Sequence, residues 1–158
     1  MMHQLKTRQI VHAPIERVWE FFSRPDNLNL LTPLELHFRI LSGDERDMHN
    51  GQIISYAIRI LPFVRVGWVT EIKHVVPMQS FVDEQRIGPY RLWHHTHEFR
   101  QVDGGVEILD TVHYALPFGI LGGFVHWLWV RRRLNFIFGY RQKRMVELLS
   151  DAGHMGNR

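Results

Sequence analysis

Histidines are concentrated in one short stretch, "GPYRLWHHTHEF", which holds three of the chain's eleven. Imidazole titrates near neutral pH, so it can act as an acid or base, bind a metal, or bond to a carboxylate. Side chains alternate across a strand, so His95 and His97 share one face while His94 points the other way. Trp93 and Phe99 bracket the first two on the same face, which predicts that this face is the inner one.

Acidic and amide side chains recur at the same spacing on the neighbouring stretches. Asp83 and Gln85 share one face of "FVDEQ", and Asp110 and Tyr114 interrupt an otherwise apolar face of "VEILDTVHYAL". A buried carboxylate without a partner costs several kcal/mol, so imidazole, hydroxyl or amide partners are expected. Hairpin connections would make the three strands neighbours and gather these groups on the concave side. The predicted ligand-binding set is Trp68, Asp83, Gln85, Trp93, His95, His97, Phe99, Asp110 and Tyr114.

Four hypotheses fit this cluster. The first is a carrier or receptor site, in which aromatic residues contact a small apolar molecule and polar groups orient its polar end. The second is a purely structural network that fixes strand register. The third is an active site in which His95 pairs with Asp83 or Asp110 as general acid or base. The fourth is a zinc or iron site, because two histidines two residues apart can chelate a metal with one of these aspartates.

The residues before the cluster predict a strand followed by two short helices. Residues 4–12 have a weak strand pattern. Apolar residues at helical spacing follow Pro14, which suits a first helical turn. The stretch "DNLNLLTP" predicts a second short helix, capped by Asp26.

The remaining pattern is a succession of strands and then one helix. Strands run from residue 34 to residue 116, with a long polar turn at 43–51 and a tight-hairpin signal at "DGG". One strand places Trp68, Thr70, Ile72 and His74 on a common face. A long helix over residues 121–149 carries an apolar stripe, interrupted by Arg141, that can lie on the sheet. The stripe consists of Leu134, Ile137, Phe138, Met145, Leu148 and Leu149.

This ordered set of segments resembles the START-like, or SRPBCC, superfamily. "IVHAPIERVWEFFSRPDNLNLLTP" is similar to the family's opening strand and helix pair. "FVDEQRIGPYRLWHHTHEF", "DTVHYALPFGILG" and "FIFGYRQKR" resemble a ligand-binding branch related to polyketide cyclase-like proteins. The resemblance implies an α+β helix-grip fold: a curved antiparallel sheet of about six or seven strands wrapped around a long C-terminal helix, with two short helices after the first strand. A cavity between sheet and helix would serve either a carrier or an enzyme.

We therefore expect one helix-grip domain over residues 1–150 and a flexible tail over 151–158. The expected function is to carry or sense a small hydrophobic or amphipathic molecule, such as a lipid, without a cofactor or metal. The alternative is an enzyme of the cyclase or dehydratase type that uses His95, Asp83 and Asp110 on an apolar substrate.

Composition limits the compartment and the partners. The 158 residues include no cysteine, which excludes disulfides and thiol chemistry. The N-terminus lacks the apolar core of a signal peptide, and residues 116–130 fall short of the roughly 20 apolar residues that cross a bilayer. We expect a cytoplasmic protein.

The net positive charge of the chain comes from its C-terminal segment. Residues 131–158 hold seven Lys/Arg and two Asp/Glu, so the basic character belongs to one helix and no nucleic-acid partner is expected. Trp129, Phe136 and Tyr140 fall off the apolar stripe of that helix. Two interpretations stand: peripheral contact with an anionic membrane, or arginine stems that cover apolar surface beside the core.

Overall fold

Seven strands form one antiparallel sheet in the order β1-β7-β6-β5-β4-β3-β2. The computed structural model describes residues 1–43, 48–61, 63–117, 119, 122, 124 and 126–150. The strands are β1 Met2–Val11, β2 Arg39–Ser42, β3 Ile53–Leu61, β4 Val64–Val76, β5 Ser80–Ile87, β6 Leu92–Val102 and β7 Gly105–Ala115. Together with the C-terminal helix packed on the sheet, they confirm the predicted helix-grip α+β fold. The predicted tail, 151–158, and residues 44–47 of the turn at 43–51 lie outside the described residues.

The helical segments follow the predicted order. Helix α1 spans Ile15–Phe22 with Pro14 as its N-cap residue. The second predicted helix is a 3-10 turn, Pro25–Asn29, whose N-cap is Arg24, so the predicted cap at Asp26 is wrong. Another 3-10 turn occupies Leu34–Leu36, and the strand predicted from residue 34 therefore begins only with β2.

The C-terminal helix, α2, spans Arg131–Ser150 and follows a π-helical turn at His126–Val130. None of the described helices has the length and apolar character that spanning a bilayer requires.

Tight hairpins bring the three strands of the predicted cluster side by side. Asp83 pairs with His95 across β5 and β6, and His97 pairs with Asp110 across β6 and β7. At the β6–β7 turn Gly104 has a φ of 82°, a conformation that glycine adopts readily and that the "DGG" signal predicts.

The prediction that His74 shares one face of β4 with Thr70 and Ile72 is wrong, because β4 is irregular beyond Lys73. The register with β5 shifts between Lys73 and Val76, and His74 has a φ of 51°. His74 is consequently exposed, whereas Thr70 and Ile72 stay buried on the inner face. The bulge inserts extra backbone, so strict alternation fails beyond Lys73.

Two apolar clusters cover the concave face of the sheet, and α2 contributes to both. Leu134 and Phe138 pack with Trp68, Trp93 and neighbouring residues. About two turns further along, Met145 and Leu149 pack in the other cluster, beneath α1. All four α2 residues belong to the predicted apolar stripe, and this packing holds the helix across the sheet.

Candidate functional site

A cavity of about 540 Å³ lies between the concave face of the sheet and α2. Its wall is mainly apolar and comes from the 3-10 turns, strands β3 to β6, and α2. The aliphatic part of this wall includes Leu31, Leu36, Ile58, Ile72, Leu134 and Ile137. The size is typical of sites for small molecules.

Two imidazoles and two carboxylates form a closed cluster in one wall of this cavity. His95 lies between the aspartates, with Nδ1 3.1 Å from Asp83 Oδ2 and Nε2 3.1 Å from Asp110 Oδ1. His97 also contacts both, with Nε2 3.0 Å from Asp83 Oδ2 and Nδ1 2.8 Å from Asp110 Oδ1, the latter without hydrogen-bond alignment. The two rings are tilted by 37° to one another, with centroids 3.8 Å apart. We call these four residues the His–Asp cluster.

Two further donors complete the bonding of the carboxylates. Trp93 Nε1 donates to Asp83 Oδ1 at 3.1 Å, and Thr7 Oγ1 donates to Asp110 Oδ2 at 3.3 Å. Every carboxylate oxygen of the cluster therefore has a partner, as burial requires. His95, with 1% exposure, and Asp110 are buried, whereas the Asp83 side chain keeps 19% exposure and lines the cavity.

Three members of the cluster, His95 and the two aspartates, are held in their ionised forms. Burial disfavours the charge of His95, but the negative charge of Asp83 and the hydrogen bonds to both aspartates outweigh it and raise the pKa of His95. Burial likewise opposes ionisation of Asp83, yet the charges and hydrogen bonds of the two histidines hold its pKa far below the ordinary value. The same balance holds the pKa of Asp110 well below the ordinary value.

A set of aromatic residues and one threonine continues the wall beside the cluster. The Trp68 indole N–H donates to Thr70 Oγ1 at 3.1 Å, and the Tyr56 hydroxyl lies 3.0 Å from the same oxygen. Trp68 also meets Trp93 edge to face, with ring centroids 5.3 Å apart, and Tyr90 at 5.5 Å. Burial raises the pKa of Tyr56 and of Tyr90, so both hydroxyls stay protonated.

Three arginines line the cavity, and two of them are paired. Arg24 and Arg133 each bond to a glutamate, at 2.6 and 2.8 Å. Arg141 has no carboxylate within ion-pair distance among the described residues, and its guanidinium carbon lies 5.5 Å from the centroid of the Phe138 ring. A charged residue within the apolar stripe of α2 was the sequence signal for this position.

The structure separates the nine predicted ligand-binding residues into two groups. The cavity is lined by Trp68, Asp83, Trp93, His95 and His97. Asp110 lies behind the two histidines and contacts them rather than the cavity. Gln85 is used by the β5–β6 turn, where its amide donates to the Tyr90 carbonyl and accepts from the Tyr90 N–H.

Phe99 and Tyr114 also lie away from the cavity wall. Phe99 packs beneath α1, with ring centroids 5.9 Å from Trp19 and 4.9 Å from Phe22. Tyr114 is buried, and its hydroxyl lies 2.8 Å from His126 Nε2 in the π-helical turn. Strand alternation predicts their inward direction, but it contains no information on which element covers each part of the sheet.

Residues that sequence reasoning missed come from a neighbouring strand and a turn. Tyr56 is the register partner of Trp68, so extending the Trp68 face to the preceding strand would have found it. Tyr90 lies in a turn, where no periodic pattern indicates direction.

Comparisons with known proteins identify the fold. No family model matches the sequence, and no curated protein sequence matches it. The solved structure of CV1439 from Chromobacterium violaceum has a TM-score of 0.72 at 15% identity, over 93% of this chain and 97% of that one. SA2116 from Staphylococcus aureus has a TM-score of 0.71 at 10% identity, over 98% of both chains. Ara h 8.0201 has a TM-score of 0.60 at 13% identity, over 93% of this chain and 99% of that one.

These matches confirm the helix-grip fold that the resemblance in the sequence implies. At identities of 10–15% the likeness shows the fold alone.

Proposed function

We propose that this domain binds one small hydrophobic or amphipathic molecule in the cavity between the sheet and α2. The observation that carries the proposal is the cavity of about 540 Å³ with a mainly aliphatic and aromatic wall. Protein interiors are normally packed to crystal density, so a space of this size has a cost that ligand binding would offset. A purely structural role for the His–Asp cluster gives no reason for the open volume beside it.

Within this proposal the predicted residues have different roles. Trp68 and Trp93 provide rigid contact area for an apolar ligand. Asp83 is the member of the His–Asp cluster with the greatest accessible surface, so it is the group best placed to accept a hydrogen bond from a ligand. Asp110 supports the histidines from behind, as a positioning residue.

The enzyme alternative rests on His95, an imidazole in the cavity wall with a raised pKa. Its geometry weighs against general-base catalysis, because both ring nitrogens already contact carboxylates. General-acid catalysis would require breaking one of those contacts. Turnover that falls in His95→Gln while ligand affinity is retained would favour the enzyme.

The metal alternative uses Asp83, His95 and His97, whose potential ligand atoms lie within 4.8 Å of one another. In this arrangement the Nε2 atoms of the two histidines contact different aspartates. A metal would therefore have to replace the contacts that hold the His–Asp cluster together. Elemental analysis of untagged protein after dialysis tests this alternative, and a stoichiometric metal would support it.

Native mass spectrometry of the purified protein and titration with N-phenyl-1-naphthylamine, a neutral fluorescent probe, test the binding proposal. Ile137→Trp places an indole in the cavity and should abolish probe binding. Phe136→Trp adds tryptophan one residue away, at a position that is exposed on α2, and should leave binding unchanged. Absence of both co-purified ligand and probe binding, or equal binding by the two variants, would contradict the proposal.

Contact with an anionic membrane is a further part of the proposal. Trp127 and Phe136 are exposed, as are Arg131 and Arg132, and this combination suits an anionic lipid surface. Arg141 does not belong to this surface, because it lines the cavity. Liposome co-sedimentation should rise with anionic lipid content, and a flat response would remove the membrane contact. The cytoplasmic location stays a prediction of the sequence.

A further inference from the structure

We infer that the ligand carries an anionic group, a carboxylate or a group of similar charge, and that Arg141 binds it. The inference rests on the proposed function, since it describes the ligand of the same cavity. It makes the ligand an amphipathic acid rather than a neutral apolar molecule.

The first argument is the balance of charge around the cavity. Apart from the histidines, four charged side chains line the described wall of the cavity, and three of them have partners within the protein. Arg24 and Arg133 are paired with glutamates, and Asp83 accepts from Trp93 and contacts both histidines of the His–Asp cluster. Among these four side chains, Arg141 is the one for which the described residues supply no countercharge.

The second argument is the position of Arg141 on α2. It lies between Phe138 and Met145, two buried members of the stripe that packs on the sheet. Helical spacing therefore directs it towards the sheet side, where an uncompensated cation is unfavourable unless a ligand provides the negative charge.

The third argument is that the guanidinium is held in place for binding. Its carbon lies 5.5 Å from the centroid of the Phe138 ring, at cation–π distance. The Phe138 ring is in turn 5.5 Å from the His95 ring, which belongs to the rigid His–Asp cluster. A guanidinium stacked on an aromatic ring keeps its N–H donors at the ring edge, where a carboxylate can accept two of them.

The bonding of Asp83 explains why an anion is tolerated in the same cavity. Both oxygens of this carboxylate are already engaged by Trp93 and the two histidines. That bonding holds the pKa of Asp83 low, so the Asp83 carboxylate is stabilised without a contact from Arg141. The cavity thus has a polar wall at the His–Asp cluster and a separate cationic point on α2.

The test uses cis-parinaric acid and its methyl ester, a fluorescent pair that differs only in charge at the head group. The unaltered full chain should bind the acid about tenfold to a hundredfold more tightly than the ester, the range expected for a hydrogen-bonded charge pair. Arg141→Gln should lose this preference and keep the affinity for the ester. Lys143→Gln, which removes an exposed cation of the same helix outside the cavity wall, should keep the preference.

Arg141→Met is measured alongside, because an unbranched apolar side chain retains the packing of the arginine stem if the glutamine variant does not fold. It too should bind acid and ester alike. Equal binding of the two probes by the unaltered chain, or a preference that survives in both Arg141 variants, would overturn the anionic ligand while leaving the cavity as a binding site. Failure of both probes to bind the unaltered chain would overturn the proposed function and this inference together.

Discussion

Two histidine pairs with closely spaced rings lie in opposite electrostatic surroundings in this fold. His95 and His97 lie on the concave face of the sheet between two aspartates, with ring centroids 3.8 Å apart and an interplanar angle of 37°. His3 and His126 stack where β1 meets the π-helical turn, with centroids 3.5 Å apart and an interplanar angle of 11°. Their polar partner is the Tyr114 hydroxyl, and no carboxylate lies within ion-pair distance of them among the described residues.

The pKa of His95 and the pKa values of His3 and His126 move in opposite directions. The pKa of His95 is raised, because two carboxylates outweigh the effect of burial. Burial and the N-terminal charge lower the pKa of His3, while burial and the charges of His3 and Arg131 lower the pKa of His126. Close contact between imidazole rings is common to both pairs, so it does not decide the direction of these shifts. The carboxylates do.

Replacement of Asp110 by asparagine should have the largest effect on this comparison. Asp110→Asn keeps the shape but leaves a buried imidazolium with half of its countercharge, and removing one partner of a buried ion pair costs about 3–5 kcal/mol. Urea unfolding at neutral pH measures the loss. We expect the free energy of unfolding to fall by that amount and the pKa of His95 to fall with it.

Glu107→Gln is the matched control, since it makes the same acid-to-amide change on the same strand. The Glu107 carboxylate is paired with Arg8, whose side chain is largely exposed, and such pairs contribute at most about 1 kcal/mol. Equal costs for the two variants would show that the His–Asp cluster is no stronger than a surface ion pair.

Titration with pH should separate the two pairs by sign. The pKa of His95 lies above the ordinary 6.5, so its contribution to stability is complete below pH 6.5 and is lost as the pH rises through the folded value. The pKa values of His3 and His126 lie below 6.5, so their contribution is complete above pH 6.5 and is lost as the pH falls through the folded values. Asp83 and Asp110, with depressed pKa values, add a further loss of stability in acid below their ordinary 3.8.

Imidazole nitrogen NMR shifts across this range provide the measurement. At pH 6.5 the His95 ring should be mainly protonated and the His3 and His126 rings mainly neutral. A common midpoint for all three histidines would contradict the comparison.

The strand sequences alone are enough to predict that the four residues of the His–Asp cluster lie together. Period-two alternation places Asp83, His95, His97 and Asp110 on one face, and tight turns make their strands neighbours, so their juxtaposition follows from local rules. The order of strands and helices could be predicted for the same reason, because turn residues and periodicity mark each element, and the resemblance to the SRPBCC superfamily then implied the helix-grip arrangement.

The rest of the site depends on tertiary contacts that local patterns do not express. Phe99 faces inward as predicted, but α1 rather than the cavity covers it. The bulge in β4 exposes His74. The role proposed for Arg141 is visible only once the other two arginines of the cavity wall, Arg24 and Arg133, are found paired with glutamates, which requires knowledge of several separate elements.

Thr7→Val should lower the stability of the His–Asp cluster by less than Asp110→Asn does. The variant removes a hydrogen bond to a charged Asp110 oxygen at 3.3 Å, for which we expect a loss of about 1–2 kcal/mol. Thr7→Ser keeps the hydroxyl and should retain most of that stability in the same urea unfolding measurement. A larger loss in the serine variant than in the valine variant would show that the methyl group, not the hydroxyl, matters at this position.

Tyr114→Phe should have the smallest effect and should act only on the uncharged pair. Burial raises the pKa of Tyr114, so its hydroxyl stays protonated, and its oxygen lies 2.8 Å from His126 Nε2. Loss of this hydrogen bond should cost about 0.5–1.5 kcal/mol in urea unfolding. The titration of His95 should not change, since its charge depends on Asp83 and Asp110, and a shift of the His95 midpoint in Tyr114→Phe would mean that the two histidine pairs titrate as one system.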